Sequence, residues 1–300
     1  QIDRAANHLG LTFPVDVGIA ASIEDAAHEL RRRLQPAARP AWSRLIEQLK
    51  TQWTQHLEGD HTGEQPARPA MAGPPAPGPL TPPWTPGDGW QPRVDRPESA
   101  PGLRPAAIIR ALERRLGGDA VLCLGVGDNT FWVASLFRAQ GQRVLISGHW
   151  RSMGFALPAA IAAKLAAPRV PVVAVCGDGG FAMTMAEFTT AVALDLPIVV
   201  IVLNNRALAE ESHKQLRMQL QPFGVRLHNP DFAVFARACG GEGHRVDDEA
   251  SLDRALAAAL RARRPCLLDV HTQVRMPALA EPRGTLAPPA IPLATARGPF

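Results

Sequence analysis

Two unbroken apolar runs dominate the pattern of this chain, PVVAVC at 171–176 and IVVIVL at 198–203. Strands apolar at every position, and rich in valine and isoleucine, are buried on both faces, as in parallel sheets. Gly177-Asp178-Gly179-Gly180 breaks the first run, and 183–194 predicts a helix with Met185, Phe188, Ala191 and Val192 turned inward. A strand, a helical crossover and a second strand lie side by side, with their C-terminal ends on one sheet edge. Asp178 and Asn205 therefore fall at neighbouring strand ends, roughly 5–10 Å apart for a strand spacing near 4.8 Å. A further strand is expected at 121–126, with Asp128, Asn129 and Thr130 in the turn after it. Helix 231–239, a strand near Arg245-Val246, helix 251–263 and the strand CLLDVHT close the pattern.

The first hundred residues read differently. LTFPVDVGIA is a short apolar segment, and Ser22, with Asp25 three positions on, is placed to cap a following helix. Trp42, Leu45, Ile46, Leu49, Trp53 and Leu57 share one face of an amphipathic helix over 41–57. Its mixed charges suit packing on a neighbouring domain better than a membrane surface. From Pro66 to Pro101 one residue in three is proline, which predicts an extended, semi-rigid connector carrying Trp84 and Trp90.

Composition narrows the class. Three hundred residues with 46% apolar content support a real core, and a formal charge of +4 is mild. No Lys/Arg block suggests a nucleic-acid surface, and Arg31-Arg32-Arg33 complements the end of a helix. No apolar run is long enough to span a membrane, and no signal peptide is visible, so a cytoplasmic location is expected. Cys123, Cys176, Cys239 and Cys266 are scattered without a CxxC pair, which favours reduced core thiols over zinc or disulfides.

The chemistry gathers at the two strand ends. A carboxylate (Asp178), an amide oxygen (Asn205) and a backbone carbonyl just beyond the second strand offer three hard oxygens. Mg²⁺ takes such donors and fills its remaining positions with phosphate oxygens and water. The glycines allow close backbone approach, and the following helix start favours an anion. A site for a Mg²⁺-bound diphosphate follows.

GDG, 24 residues and then NN resembles the thiamine diphosphate signature, in particular that of the pyruvate oxidase and acetolactate synthase group. LRPAAIIRAL (103–112), GVGDNTFWVASLF (125–137), SGHWRSMGFALPAAIAAKLA (147–166) and LHNPDFAVFARACGGEGHRV (227–246) resemble further blocks of the same domain. The resemblance implies a three-layer α/β/α domain with a mainly parallel sheet over 101–275. It also implies a partial middle-domain remnant over 1–35, an amphipathic helix and Pro-rich linker over 36–100, and a Pro/Ala-rich tail over 276–300. By the same resemblance Asp178, Asn205 and the carbonyl of Ala207 bind Mg²⁺. Gly177, Gly179 and Gly180 meet the diphosphate from one side, and Asp128, Asn129 and Thr130 from the other. Met153 corresponds to the apolar residue that bends thiamine, and the carbonyl of Arg151 accepts from its 4′-amino group.

The implied reaction is decarboxylation of a 2-oxo acid, with pyruvate the default. The oxidase branch is favoured by LHNPDFAVFARACGG, against acetolactate-type synthesis or simple decarboxylation. Two positions depart from the pattern of oxidase-like relatives, and one matches that of decarboxylases. Glu211 stands six positions after the second Asn, where decarboxylases carry an active-site acid; Lys214 replaces the acid of oxidase-like relatives, and Ala209 a glycine. Glu211 is the one catalytic candidate, while His149 and His213 are expected to be packed or surface residues. The glutamate that activates the cofactor lies in a separate pyrimidine-binding domain, for which this chain has no room. A partner domain or subunit, and hence a homo- or hetero-oligomer, is implied. No FAD site is expected, since the flavin-bearing middle domain is mostly absent. The competing reading is a truncated, non-catalytic homologue acting as a binding or regulatory module.

Overall fold

The computed structural model describes residues 1–11, 14–34, 40–59 and 102–275, and the chain divides into two units, 1–70 and 71–300. Trp84, Trp90, the whole Pro-rich connector from Pro66 to Pro101 and the 276–300 tail lie outside the described residues. In the first unit, β1 (Ile2–Asp3) and β2 (Ile19–Ala20) form a two-residue parallel pair. Helix α1 (Ile23–Arg33) starts as expected, with the Ser22 side chain accepting from the Asp25 N–H at 3.0 Å. Helix α2 runs Pro40–Gly59, and its Trp42, Ile46 and Leu49 are exposed.

The second unit is a six-stranded, all-parallel sheet. Its elements are α3 (Pro105–Arg115), β3 (Val121–Leu124), α4 (Asp128–Leu136), β4 (Arg143–Ile146), α5 (Ala156–Ala166) and β5 (Val172–Gly177). Then follow α6 (Asp178–Thr184), a 3₁₀ turn (Met185–Glu187), α7 (Phe188–Ala193), β6 (Val199–Asn204) and α8 (Ala209–Arg217). The unit closes with α9 (Phe232–Ala238), β7 (Glu242–Val246), α10 (Glu249–Ala259) and β8 (Cys266–His271). Strand order is β4-β3-β5-β6-β8-β7, with helices on both faces. The three-layer α/β/α expectation is met. The central strands β3, β5 and β6 are buried almost throughout because helices cover both faces, which is why they read as unbroken apolar runs.

One face of the sheet packs Val121, Cys123, Val172, Ala174, Val200 and Val202 against Leu157, Phe181, Phe188 and Phe232 from the helices. Phe181 meets Phe232 edge-on, with ring centroids 5.1 Å apart. Three elements differ from the sequence reading. The helix expected at 183–194 already begins at Asp178 and breaks at a 3₁₀ turn, so the glycines form its first turn rather than a free loop. Phe188 and Ala191 face inward as expected, whereas Met185 and Val192 are only partly buried. Strand β4 was not singled out because its apolar run, Val144-Leu145-Ile146, is only three residues long, and all four of its residues are exposed.

The order of strands decides where a ligand can sit. From β3 the chain moves outward to β4 and then returns to the other side of β3 as β5. The loops leaving β3 and β5 therefore diverge to opposite faces and open a crevice between them, at the C-terminal ends of the strands.

Candidate functional site

That crevice is a cleft of ≈ 590 Å³, bordered by Val126–Asn129 after β3, Gly177–Gly180 at the end of β5, and Asn205 and residues 207–211 after β6. Of the residues anticipated from sequence, Asp128, Asn129, Arg151, Met153, Gly177, Asp178, Gly179, Gly180, Asn205, Ala207 and Glu211 all line it. Thr130 does not: its hydroxyl donates to the Gly125 carbonyl at 2.6 Å and braces the turn. His149 is exposed, away from the cleft lining.

Strand register brings the oxygen donors together. Gly177 pairs with Leu203, so the next positions, Asp178 and Asn204, stand side by side and Asn205 lies one step beyond. The two asparagines then part company. Asn204 is buried, its amide donating to Asp269 Oδ1 at 2.8 Å and its Oδ1 accepting from Asn229 Nδ2 at 2.9 Å. Asn205 borders the cleft, its Oδ1 accepting from the Ala207 N–H at 3.1 Å, two residues on. Arg206, at φ 58°, turns the chain sharply between them. The Leu208 N–H then donates to Val225 and the Leu227 N–H to Arg206, bonds that do not use the Ala207 carbonyl.

Asp178 is almost wholly buried. Its Oδ1 accepts from the Gly179 N–H at 3.0 Å and its Oδ2 from Asn229 Nδ2 at 2.7 Å. Burial pushes its carboxyl up from 3.8 to about 6, against the lowering effect of these hydrogen bonds. Asn229 thus joins Asp178 to Asn204, and Asn204 to Asp269, whose Oδ2 accepts from the Phe232 N–H at the start of α9. Burial raises Asp269 as well. Neither Asn229 nor Asp269 was singled out from sequence, because only the fold brings residues 178, 204, 229 and 269 into one chain of contacts.

The glycines and the apolar wall fit one another. A Cβ on Gly179 would lie 2.6 Å from Leu208 Cδ2, 3.1 Å from Leu227 Cδ1 and 3.5 Å from Met153 Cε. Met153 is carried by a loop with Arg151 at φ 48° and Gly154 at φ 82°, and Thr184 Oγ1 pins that loop by donating to the Gly154 carbonyl at 3.0 Å. On the β3 side, Asn129 Nδ2 donates to the Gly125 carbonyl at 2.6 Å. Asp128 opens α4 and stands 2.8 Å from His213 Nδ1 of α8, both side chains buried. That close approach, which lacks hydrogen-bond geometry, brings α8 to the site and was not foreseen. Glu211 is exposed and paired with Lys214 at 2.7 Å; Lys214 also reaches Glu210 at 3.1 Å. Arg151, Lys214, Arg217 and Arg275 line the cleft beside four acids, Asp128, Asp178, Glu210 and Glu211, so its walls carry charges of both signs.

Donors of this type fit a hard cation: a carboxylate, an amide oxygen and a carbonyl, with no soft ligand among them. Residues 125–270 match the family described as thiamine pyrophosphate enzyme, C-terminal thiamine pyrophosphate-binding domain. This domain belongs to that family. Similar proteins include the "Putative thiamine pyrophosphate-containing protein YdaP" of Bacillus subtilis, 37% identical over 59% of this chain and 31% of its own length. The sulfoacetaldehyde acetyltransferase of Castellaniella defragrans is 27% identical over 90% of this chain and 44% of its own. The mitochondrial acetolactate synthase catalytic subunit of Aspergillus candidus is 37% identical over 59% of this chain and 26% of its own. The chain spans less than half the length of these curated relatives. Among the described residues no helix of the thiamine pyrophosphate domain, or of the rest of the chain, is long and apolar enough to cross a membrane.

Proposed function

We propose that the cleft binds thiamine diphosphate through Mg²⁺ and serves a 2-oxo acid-decarboxylating enzyme, with pyruvate as substrate. The observation that carries this reading is the convergence of Asp178, Asn205 and Ala207 on one cleft with the Gly177–Gly180 turn. In this proposal Asp178, Asn205 and the Ala207 carbonyl hold the cation. Gly180, with Asp128 and Asn129 opposite, borders the diphosphate, while the cation offsets most of its charge. Met153 supports the thiamine rings and the Arg151 carbonyl receives the 4′-amino group. Bound thiamine diphosphate supplies the electron sink for loss of CO₂, while the protein supplies orientation and electrostatics. The names of the relatives, acetolactate synthase and sulfoacetaldehyde acetyltransferase, favour transfer of the product carbon unit to an acceptor over oxidation by a flavin.

The same proposal assigns the cofactor-activating glutamate to a pyrimidine-binding domain outside the described residues, on another subunit or another segment. Calorimetry with thiamine diphosphate tests the binding step. Affinity is expected to need Mg²⁺ and to be lost in Asp178→Ala and Asn205→Ala. Equal affinity with a chelator present, or in Asp178→Ala, would overturn the Mg²⁺ site, and no affinity in the wild-type chain would favour the non-catalytic binding module.

A further inference from the structure

The sheet's other end carries a second constellation. Strands β7 and β8 pair in parallel, Glu242 beside Cys266 and His244 beside Leu268. Side chains two apart on a strand share a face, so Glu242, His244 and Cys266 project together. Gly243, between them, turns the opposite way and presses on α9, where a Cβ would come within 2.1 Å of the Ala233 carbonyl oxygen. That contact fixes which face each neighbour takes.

We propose that Glu242, His244 and Cys266 form a binding site for a zinc-class divalent metal ion, separate from the cofactor cleft. One carboxylate oxygen, one imidazole nitrogen and the thiol sulfur lie within 4.8 Å of one another. Glu242 Oε2 is 3.8 Å from His244 Nε2. A tetrahedral ion with bonds of about 2.0–2.3 Å needs ligand atoms roughly 3.3–3.8 Å apart, so small side-chain adjustments complete the site. His244 Nε2 is buried without a hydrogen-bond partner, an orphan that a metal would satisfy. Cys266 is fully buried, whereas the Glu242 and His244 side chains are 43% and 39% exposed and leave an entry path.

Ligand chemistry selects the ion. Thiolate and imidazole suit zinc and its neighbours, whereas Mg²⁺ and Ca²⁺ want oxygens only. Three protein ligands leave a fourth position for water. Without metal, burial and the nearby Glu242 push the Cys266 thiol up to about 12, which keeps it protonated and unreactive. Binding forms the sulfur–metal bond and releases that thiol proton to solvent. Because Cys266 opens β8 while the cofactor cleft lies beyond the strands' C-terminal ends, the two sites stand about 20 Å apart along the sheet. The bound ion staples β7, an edge strand paired on one side only, to its neighbour.

Cobalt(II) titration of the tag-free, chelator-stripped chain, with excess Mg²⁺ present, tests this. The expected result is one site per chain with a near-ultraviolet sulfur-to-cobalt charge-transfer band that zinc displaces. Cys266→Ser is expected to abolish the band, and His244→Ala to weaken cobalt binding by at least about 10-fold. Cys239→Ser and Asp178→Ala are expected to leave it unchanged, which separates this site from the cleft. Absence of the band in the wild-type chain, or its persistence at full strength in Cys266→Ser, would overturn the proposal. Should Cys266→Ser fail to fold by circular dichroism, an unchanged affinity in His244→Ala would overturn it equally.

Discussion

Asp178 and the two asparagines show how adjacent residues divide labour. Between pH 3.8 and about 6 the folded chain keeps a proton on Asp178 that the unfolded chain has released. Stability of the metal-free protein therefore falls as pH rises through that window, by on the order of 3 kcal/mol in all. Urea midpoints should show Asp178→Asn gaining on wild type from about pH 4 to 6, and Mg²⁺ should erase the difference by favouring the carboxylate. Cation affinity should weaken below about pH 6, measurable by calorimetry in matched buffers. Asn204→Ala strands Asp269 Oδ1 and one Asn229 contact in a buried setting, at a cost of about 1–3 kcal/mol for each unsatisfied group. Asn205→Ala, at the cleft wall, should change stability by less than about 0.5 kcal/mol while removing Mg²⁺-dependent cofactor binding. The Asn pair was legible in sequence; that the first is a structural tie followed only once residues 229 and 269 were in place.

Among elements, the strands with unbroken apolar runs were legible because burial on both faces leaves no polar positions. Strand β4 was not, since its apolar run, Val144-Leu145-Ile146, is too short to stand out although it is exposed. The single helix expected after Asp178 is three short pieces, because Gly179 and Gly180 enter its first turn and a 3₁₀ turn at 185–187 redirects it. Close approach of elements is testable at Gly243. Gly243→Ala would drive a methyl into the Ala233 carbonyl of α9, costing about 3 kcal/mol or more in chemical denaturation. The α4–α8 tie is the weaker kind of link. His213→Ala leaves Asp128 without its buried partner, and faster amide exchange in α8 is the expected readout, with the sheet unchanged.

At the scale of the molecule, the reversal of direction between β4 and β5 was hidden from periodicity, which gives strands but not their order. It fixes the position of the cleft all the same. A ligand that binds only the folded state should therefore stabilise the entire sheet. Thiamine diphosphate with Mg²⁺ at 100 times its dissociation constant should add about 2.7 kcal/mol, read as a rise in melting temperature, and add nothing in Asp178→Ala.

The run from Asp178 through Asn229 and Asn204 to Asp269 has a polarity of its own. Each amide must present nitrogen toward a carboxylate, so neither can flip without setting oxygen against oxygen. Slow deamidation with age at Asn204 would put an acid where an amide donates and force one of the crowded carboxyls to stay neutral, whereas Asn229 is protected because Pro230 lacks the backbone N–H that would attack its side chain. A lesion of a single atom group, outside the cleft lining, would then disturb the rim of the cleft at Asp178.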